Sequence, residues 1–104
     1  MPDIDDLLTA RERIRTKVHE TPVYTSRLLN EHSAAELFFK CENLQKVGAF
    51  KARGACNAVF SLTETEVAQG VATHSSGNHA AALAMAARLR GAQAHIVMPA
   101  MHRR

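Results

Sequence analysis

Tryptophan is absent from this 104-residue chain, tyrosine occurs once, and aromatic residues make up 5% of the sequence. No basic patch interleaved with stacking rings is present, so the net charge of +3 does not by itself describe a nucleic-acid groove. Arg11, Arg13, Arg15 and Lys17 are interleaved with Glu12 and Ile14 in a helical pattern, which reads as a solvated helix face. Cysteine is equally sparse. Cys41 and Cys56 lack CxxC spacing, which excludes a thioredoxin-like motif and a thiolate zinc site; two buried, reduced thiols are expected. His74 and His79 straddle a loop without carboxylates at ligand spacing, so no metal site is expected. Long apolar runs are missing too. The most apolar stretch, Ala80 to Ala87, is mostly alanine and far below the ~20 residues of a membrane span. The opening Met1-Pro2-Asp3-Ile4-Asp5-Asp6 is acidic where a signal peptide is basic. These absences lead to the expectation of a soluble cytoplasmic protein with no membrane or nucleic-acid partner.

What is present suits one ordinary domain with a modest core, at 46% hydrophobic residues. Ile4, Leu7, Leu8, Ile14 and Val18 recur at near-helical spacing, which predicts an amphipathic helix ending before Thr21-Pro22. Ser26 is placed to cap a short helix through Leu29, and Glu36 to Cys41 reads as a strand. Gly48 marks a turn before a helix from Phe50 to Leu62, with Ala55, Ala58, Val59 and Leu62 as its buried stripe. Thr63 and Glu66 have capping-box spacing, opening a short helix that stops at Gly70. Val71 to His74 reads as a strand, Asn78 to Arg90 as a helix closed by Gly91, and Ala94 to Met98 as a last strand. The alternation predicts an α/β fold with parallel pairing and right-handed crossovers.

Two segments carry the chemistry. In Lys40 to Ala55, a single lysine, Lys51, follows a glycine turn and Phe50 at the start of a helix. An amine that adds to a carbonyl must be neutral, and an apolar wall together with the positive end of a helix favours that form. In Thr73 to His79, a strand passes into a helix through Ser75, Ser76, Gly77 and Asn78, where free backbone N–H groups attract an anion. Each segment also has a plainer reading. Lys51 can be a solvated helix lysine, and Ser76 or Asn78 can simply cap the helix.

Taken together, Phe50-Lys51-Ala52-Arg53-Gly54-Ala55 and Ser75-Ser76-Gly77-Asn78-His79-Ala80 closely resemble the serine/threonine dehydratase and serine racemase family of fold-type II pyridoxal-phosphate enzymes. Thr21-Pro22 and Met98-Pro99 resemble that family's amino-terminal region as well. Gln45-Lys46 and Ala52 are similar to the dehydratase branch, where cysteine-synthase-like and threonine-synthase-like enzymes carry Asn-Pro before the glycine turn and Asp after the lysine.

The resemblance implies a parallel-sheet α/β fold like that of the tryptophan synthase β subunit, of which this is an amino-terminal portion. Residues 1–68 would belong to the large cofactor-binding domain and 69–104 to the beginning of the small one. Lys51 would hold pyridoxal phosphate covalently and act as base at Cα, Phe50 would flank the cofactor, and Asn78 would bond its phenolic oxygen. Ser75, Ser76, Gly77, Asn78 and His79 would bind the substrate carboxylate. The implied reaction converts L-threonine or L-serine to a 2-oxo acid and ammonia. Ser76, opposite the lysine as in racemase-like members, implies serine racemisation as well. A homo-oligomer is implied for the full-length enzyme, while the family's divalent-cation site and phosphate-binding glycine loop fall outside this chain. A nucleotide site near Ser26, Arg27, Leu28, Lys46 and Val47 is not expected, because Arg27 and Val47 depart from the polar residues found there. Such enzymes are far longer, and Ala100-Met101-His102-Arg103-Arg104 departs from the Ala-Pro-containing continuation. The alternative expectation is therefore a truncated or frame-shifted fragment, catalytically inactive alone.

Overall fold

The computed structural model describes residues 1–100; the final Met101-His102-Arg103-Arg104 noted above lies outside the described residues. Helix α1 covers Ile4–Ile14, opened by a capping box in which Asp3 and Asp6 each accept the other's backbone N–H at 2.9 Å. It is shorter than its apolar spacing suggests. The N–H groups of Lys17 and Val18 both reach the Ile14 carbonyl, so the chain tightens into a turn there. Val18 still packs against the core.

Strand β1 (Val23–Tyr24) pairs antiparallel with β2 (Phe39–Lys40), and helix α2 (Arg27–Ser33) joins them. Ser26 caps α2 through the Leu29 N–H, as expected, but the helix runs a turn further and ends on Ala34 in the left-handed region. The expected strand from Glu36 to Cys41 shrinks to two residues, and its antiparallel partner corrects the all-parallel expectation. Pairing is local here. A short ribbon closed by one helix can turn back on itself, whereas parallel neighbours need a full crossover.

The second half follows the sequence reading closely. Helix α4 (Glu64–Gln69) opens on the Thr63/Glu66 capping box and stops at Gly70, whose φ of +83° suits glycine. Strand β3 (Val71–His74), helix α5 (Asn78–Arg90) and strand β4 (Ala94–Val97) form a parallel βαβ unit, in register from Val71 opposite Ala94 to His74 opposite Val97. Burial alternates along both strands, so Val71, Thr73, Ala94 and Ile96 face inward.

The core lies between α5 and helix α3 (Lys51–Phe60). Ala52, Ala55, Cys56 and Val59 are buried on α3, a spacing that keeps all four on one helical face. Ala58, expected in that stripe, is exposed. Across from them lie Ala82, Leu83 and Ala86 of α5, with Ile14 of α1 completing the cluster. So many alanines let the two helix backbones approach closely. At the far end, Arg90 of α5 donates to the Val59 carbonyl, satisfying one of α3's last acceptors. Cys56 is fully buried as expected, and burial pushes its thiol pKa up; Cys41, also expected to be buried, is only half-buried.

The turn before α3 holds one strained residue. Val47 has φ +56°, where a β-branched side chain crowds its own backbone. Gln45 holds it there: its side-chain oxygen accepts from the N–H of Lys46 and of His19, its amide donates to the His19 carbonyl, and its own carbonyl accepts from Gly48. Val47 is 39% exposed, so little packing depends on it. Val47→Asn is expected to raise stability by about 1 kcal/mol, because asparagine tolerates this region. Urea denaturation midpoints measure it, and an unchanged or lower midpoint would show that valine's contacts outweigh the strain.

Candidate active site

The amine-bearing helix is set in place by a buried-edge ion pair. Glu42, in a short 3-10 turn after β2, accepts two bonds from Arg53, at 2.9 Å from Nε and 2.7 Å from Nη2. The Thr21 hydroxyl donates to the same carboxylate at 2.7 Å, and Lys40 donates to the Thr21 carbonyl at 2.6 Å. Paired guanidinium–carboxylate bonds fix orientation as well as distance. Arg53 lies two residues beyond Lys51, so this clamp sets the rotation of the first turn of α3. The bonds from Arg53 hold the Glu42 carboxyl down at about 2; burial opposes the shift, and the Thr21 hydroxyl and the charges of Arg53 and Lys40 assist it.

Lys51 occupies the first position of α3 and is exposed. Its Nζ stands 5.5 Å from the centroid of the Phe50 ring and has no ion-pair partner among the described residues. Phe50 itself is 61% exposed. The expected apolar wall is therefore there on one side of the amine only.

The second segment lies at the carboxyl end of β3, where open parallel sheets place their ligands. The Ser75 N–H donates to the Val97 carbonyl, tying the loop to β4, and the Ser75 hydroxyl accepts from the Gly77 N–H. The N-cap of α5 is Gly77, and no side chain caps the helix. This removes the plainer reading of Ser76 and Asn78 as caps. No acidic residue lies in the first turn, so the positive end of α5 faces no carboxylate of its own helix. Ser76, Gly77 and Asn78 are exposed, while Ser75 and His79 are half-buried. His79 borders a shallow groove of about 280 Å³ with Gly54 and Ala55 of α3 and Thr73 of β3. The loop thus meets α3 one turn beyond Lys51, with no hydrogen bond joining Lys51 to Ser76 or Asn78 among the described residues.

The positioning roles of Glu42, Thr21 and Gln45 were not read from the sequence. One signal pointed to Glu42: it is the only acidic residue between Glu36 and Glu64, a stretch that also holds Lys40, Lys46, Lys51 and Arg53. Among the described residues no three His, Cys, Asp or Glu side chains converge as metal ligands, and no helix is long and apolar enough to cross a membrane.

A family model described as pyridoxal-phosphate dependent enzyme matches residues 14–103. The chain belongs to this family. Serine racemase of Arabidopsis thaliana is 59% identical over 97 residues, covering 93% of this chain and 29% of that protein. The β-hydroxyaspartate dehydratase of Paracoccus denitrificans is 57% identical over 99 residues, covering 95% and 31%. The structure of maize serine racemase superposes with a TM-score of 0.90 at 56% identity, over 93% of this chain and 30% of that one. The fold is that of the fold-type II enzymes of the family, and the chain spans about 30% of these relatives' length.

The residues present fit the carbonyl of the family's cofactor. An amine without an ionic partner suits the carbonyl, and an uncapped helix end without acids suits an anion.

The Glu42 shift fixes a pH dependence. A carboxylate with a depressed folded-state pKa contributes stability above its ordinary 4.5 and loses it as pH falls toward 2. Glu42→Gln is expected to cost about 2 kcal/mol at neutral pH, since it loses a charged bidentate pair. The gap between parent and variant should close from pH 4.5 to 2 in denaturation experiments. A constant gap across that range would mean that the pair is not what depresses the carboxyl.

Proposed function

We propose that this chain supplies the amine and the carboxylate-binding loop of a pyridoxal-phosphate-dependent ammonia-lyase or racemase. Its substrate is a small β-hydroxy amino acid, such as L-serine, L-threonine or 3-hydroxyaspartate, and the reaction belongs to a polypeptide of the relatives' length. In that protein, residues 1–68 lie in the large domain and 69–104 open the small one. The observation that carries this reading is the uncapped start of α5, reached through Ser75 and Ser76 at the carboxyl end of a parallel strand.

Pyridoxal phosphate, when bound, supplies an electron sink for the charge left at Cα. Lys51 would hold the cofactor, and its Nζ, once freed when the substrate amine takes its place, would take the Cα proton from one face. The N–H groups at the start of α5, with Ser75, Ser76, Gly77, Asn78 and His79, hold the substrate carboxylate and so set which bond at Cα is broken. Asn78 would also bond the cofactor's phenolic oxygen, and Phe50 would screen one side from water. Departure of the β-hydroxyl, followed by addition of water, yields a 2-oxo acid and ammonia.

The second reading, racemisation, is favoured by Ser76. Its hydroxyl is exposed and makes no hydrogen bond among the described residues, so it is available to return a proton to the opposite face.

A chimera tests both readings. The matched residues of this chain replace the corresponding segment of the Paracoccus denitrificans dehydratase. Borohydride reduction with pyridoxal phosphate, followed by peptide mapping, is expected to label Lys51, and Lys51→Ala is expected to lower ammonia release about 10³-fold. Labelling at Lys46 or Lys40 instead would refute the assignment.

In the same chimera, Ser76→Ala should abolish racemisation and activity on the D-enantiomer while elimination from the L-enantiomer persists. Equal loss of both would leave Ser76 with the carboxylate-holding role alone, because misorientation penalises every reaction at Cα.

A further inference from the structure

Lys51 and Arg53 leave the first turn of α3 on opposite sides, two residues and so about 200° apart around the helix. That turn has few other restraints. Its N-cap, Phe50, makes no side-chain cap bond, and upstream Gln45 fastens the chain no further than Gly48. Lys51 itself has no ion-pair partner among the described residues. Arg53 is tied down: its Nε and Nη2 bond the two oxygens of Glu42, and Nη2 also reaches the Thr21 hydroxyl at 3.3 Å. An extended lysine amine lies about 8 Å from its helix axis, so a rotation of about 10° moves it by more than ~1 Å. A misplacement of about 1 Å in a reacting group costs on the order of 10²-fold in rate. The carboxylate-binding loop is supported elsewhere. It hangs from β4 through the Ser75 N–H and from α5 through the Gly77 carbonyl, and no hydrogen bond joins it to Glu42, Arg53 or Thr21 among the described residues.

We propose, building on the role assigned above to Lys51, that Arg53 is a positioning residue for the reaction: paired with Glu42 it governs turnover, while the loop from Ser75 to His79 separately governs substrate capture. A guanidinium on two carboxylate oxygens admits one orientation, whereas an ammonium in its place keeps the charge and gives up the direction. Arg53→Lys therefore separates orientation from charge. Glu42→Gln removes the same restraint from the other side, so the two substitutions act on one interaction and their effects do not add. A pair that merely stabilised the fold would lower the melting temperature and leave kcat and KM of the folded enzyme unchanged.

The test uses the chimera with the Paracoccus denitrificans dehydratase, assayed on 3-hydroxyaspartate. Arg53→Lys is expected to lower kcat about tenfold or more, with KM for the amino acid changed less than about twofold. The visible circular dichroism of the bound cofactor, measured per unit absorbance without substrate, is expected to fall about twofold or more. Adding Glu42→Gln to Arg53→Lys should lower kcat by less than about a further twofold. Glu42→Gln alone should give the same split between kcat and KM, and carries the test if Arg53→Lys does not fold. Thr63→Ala, which uncaps α4, is the control: it is expected to lower the melting temperature and leave kcat within about twofold. An unchanged kcat in Arg53→Lys would overturn the proposal. So would a rise in KM as large as the fall in kcat, additive losses in the double variant, or a loss of kcat in Thr63→Ala as large as in Arg53→Lys. Labelling of a lysine other than Lys51 in the parent chimera would refute the proposed function and this inference with it, whereas labelling of Lys51 with Arg53→Lys at full turnover refutes this inference alone.

Discussion

One carboxylate–guanidinium pair holds the amino-terminal half of the molecule to its core. Glu42 is anchored beside the β1–β2 ribbon, and Arg53 is anchored in α3 by the buried residues on either side of it, Ala52 and Ala55. Thr21 donates to the same carboxylate and Lys40 braces the Thr21 carbonyl, so four residues from three stretches of chain form one hydrogen-bonded cluster. Such a cluster is directional in a way that apolar packing is not. The alanines of α3 would tolerate small rotations of the helix, whereas a bidentate pair admits one orientation. The direction in which Lys51 leaves its helix follows from that pair.

The half of the chain from α4 to β4 could be read almost residue by residue, because its punctuation is local. Thr63 with Glu66, Gly70 and Gly91 act within one turn of themselves. Residues whose partners are distant were less legible. Phe38 and Phe39 look like a buried strand in sequence, yet what they pair with depends on Val23 and Tyr24 across an intervening helix. The stripe of α3 shifted from Ala58 to Ala52 and Cys56, since only the position of α5 decides which of several alanine faces is covered. At the candidate site, the loop from Ser75 to His79 was recognisable from composition and spacing. Whether a side chain caps α5 was not, because glycine, serine and asparagine all occur at helix starts and only the backbone geometry separates them.

The two candidate segments differ in how they are supported. The loop is fastened at both ends, through Ser75 to β4 and through the Gly77 carbonyl to Ala81 in α5. The turn ahead of Lys51 is held by the buried Gln45, whose amide reaches back 26 residues to His19. One half of the site thus rests on sheet and helix hydrogen bonds, and the other on a few polar side chains. The outward face of the small parallel sheet, with Ala72, His74, His95 and Val97, is bare, although parallel sheets are ordinarily covered on both faces.

The contact between α3 and α5 also limits how this protein can change over generations. Ala52, Ala82 and Ala86 are fully buried at 0% exposure. Alanine has only glycine below it in size, so nearly every substitution at these three positions adds atoms to a space that holds none to spare. The one smaller choice loosens the helix backbone itself. Larger cores drift by exchanging one methylene here for another there. This contact has no such reserve, and its sequence can wander only if both helices move apart together.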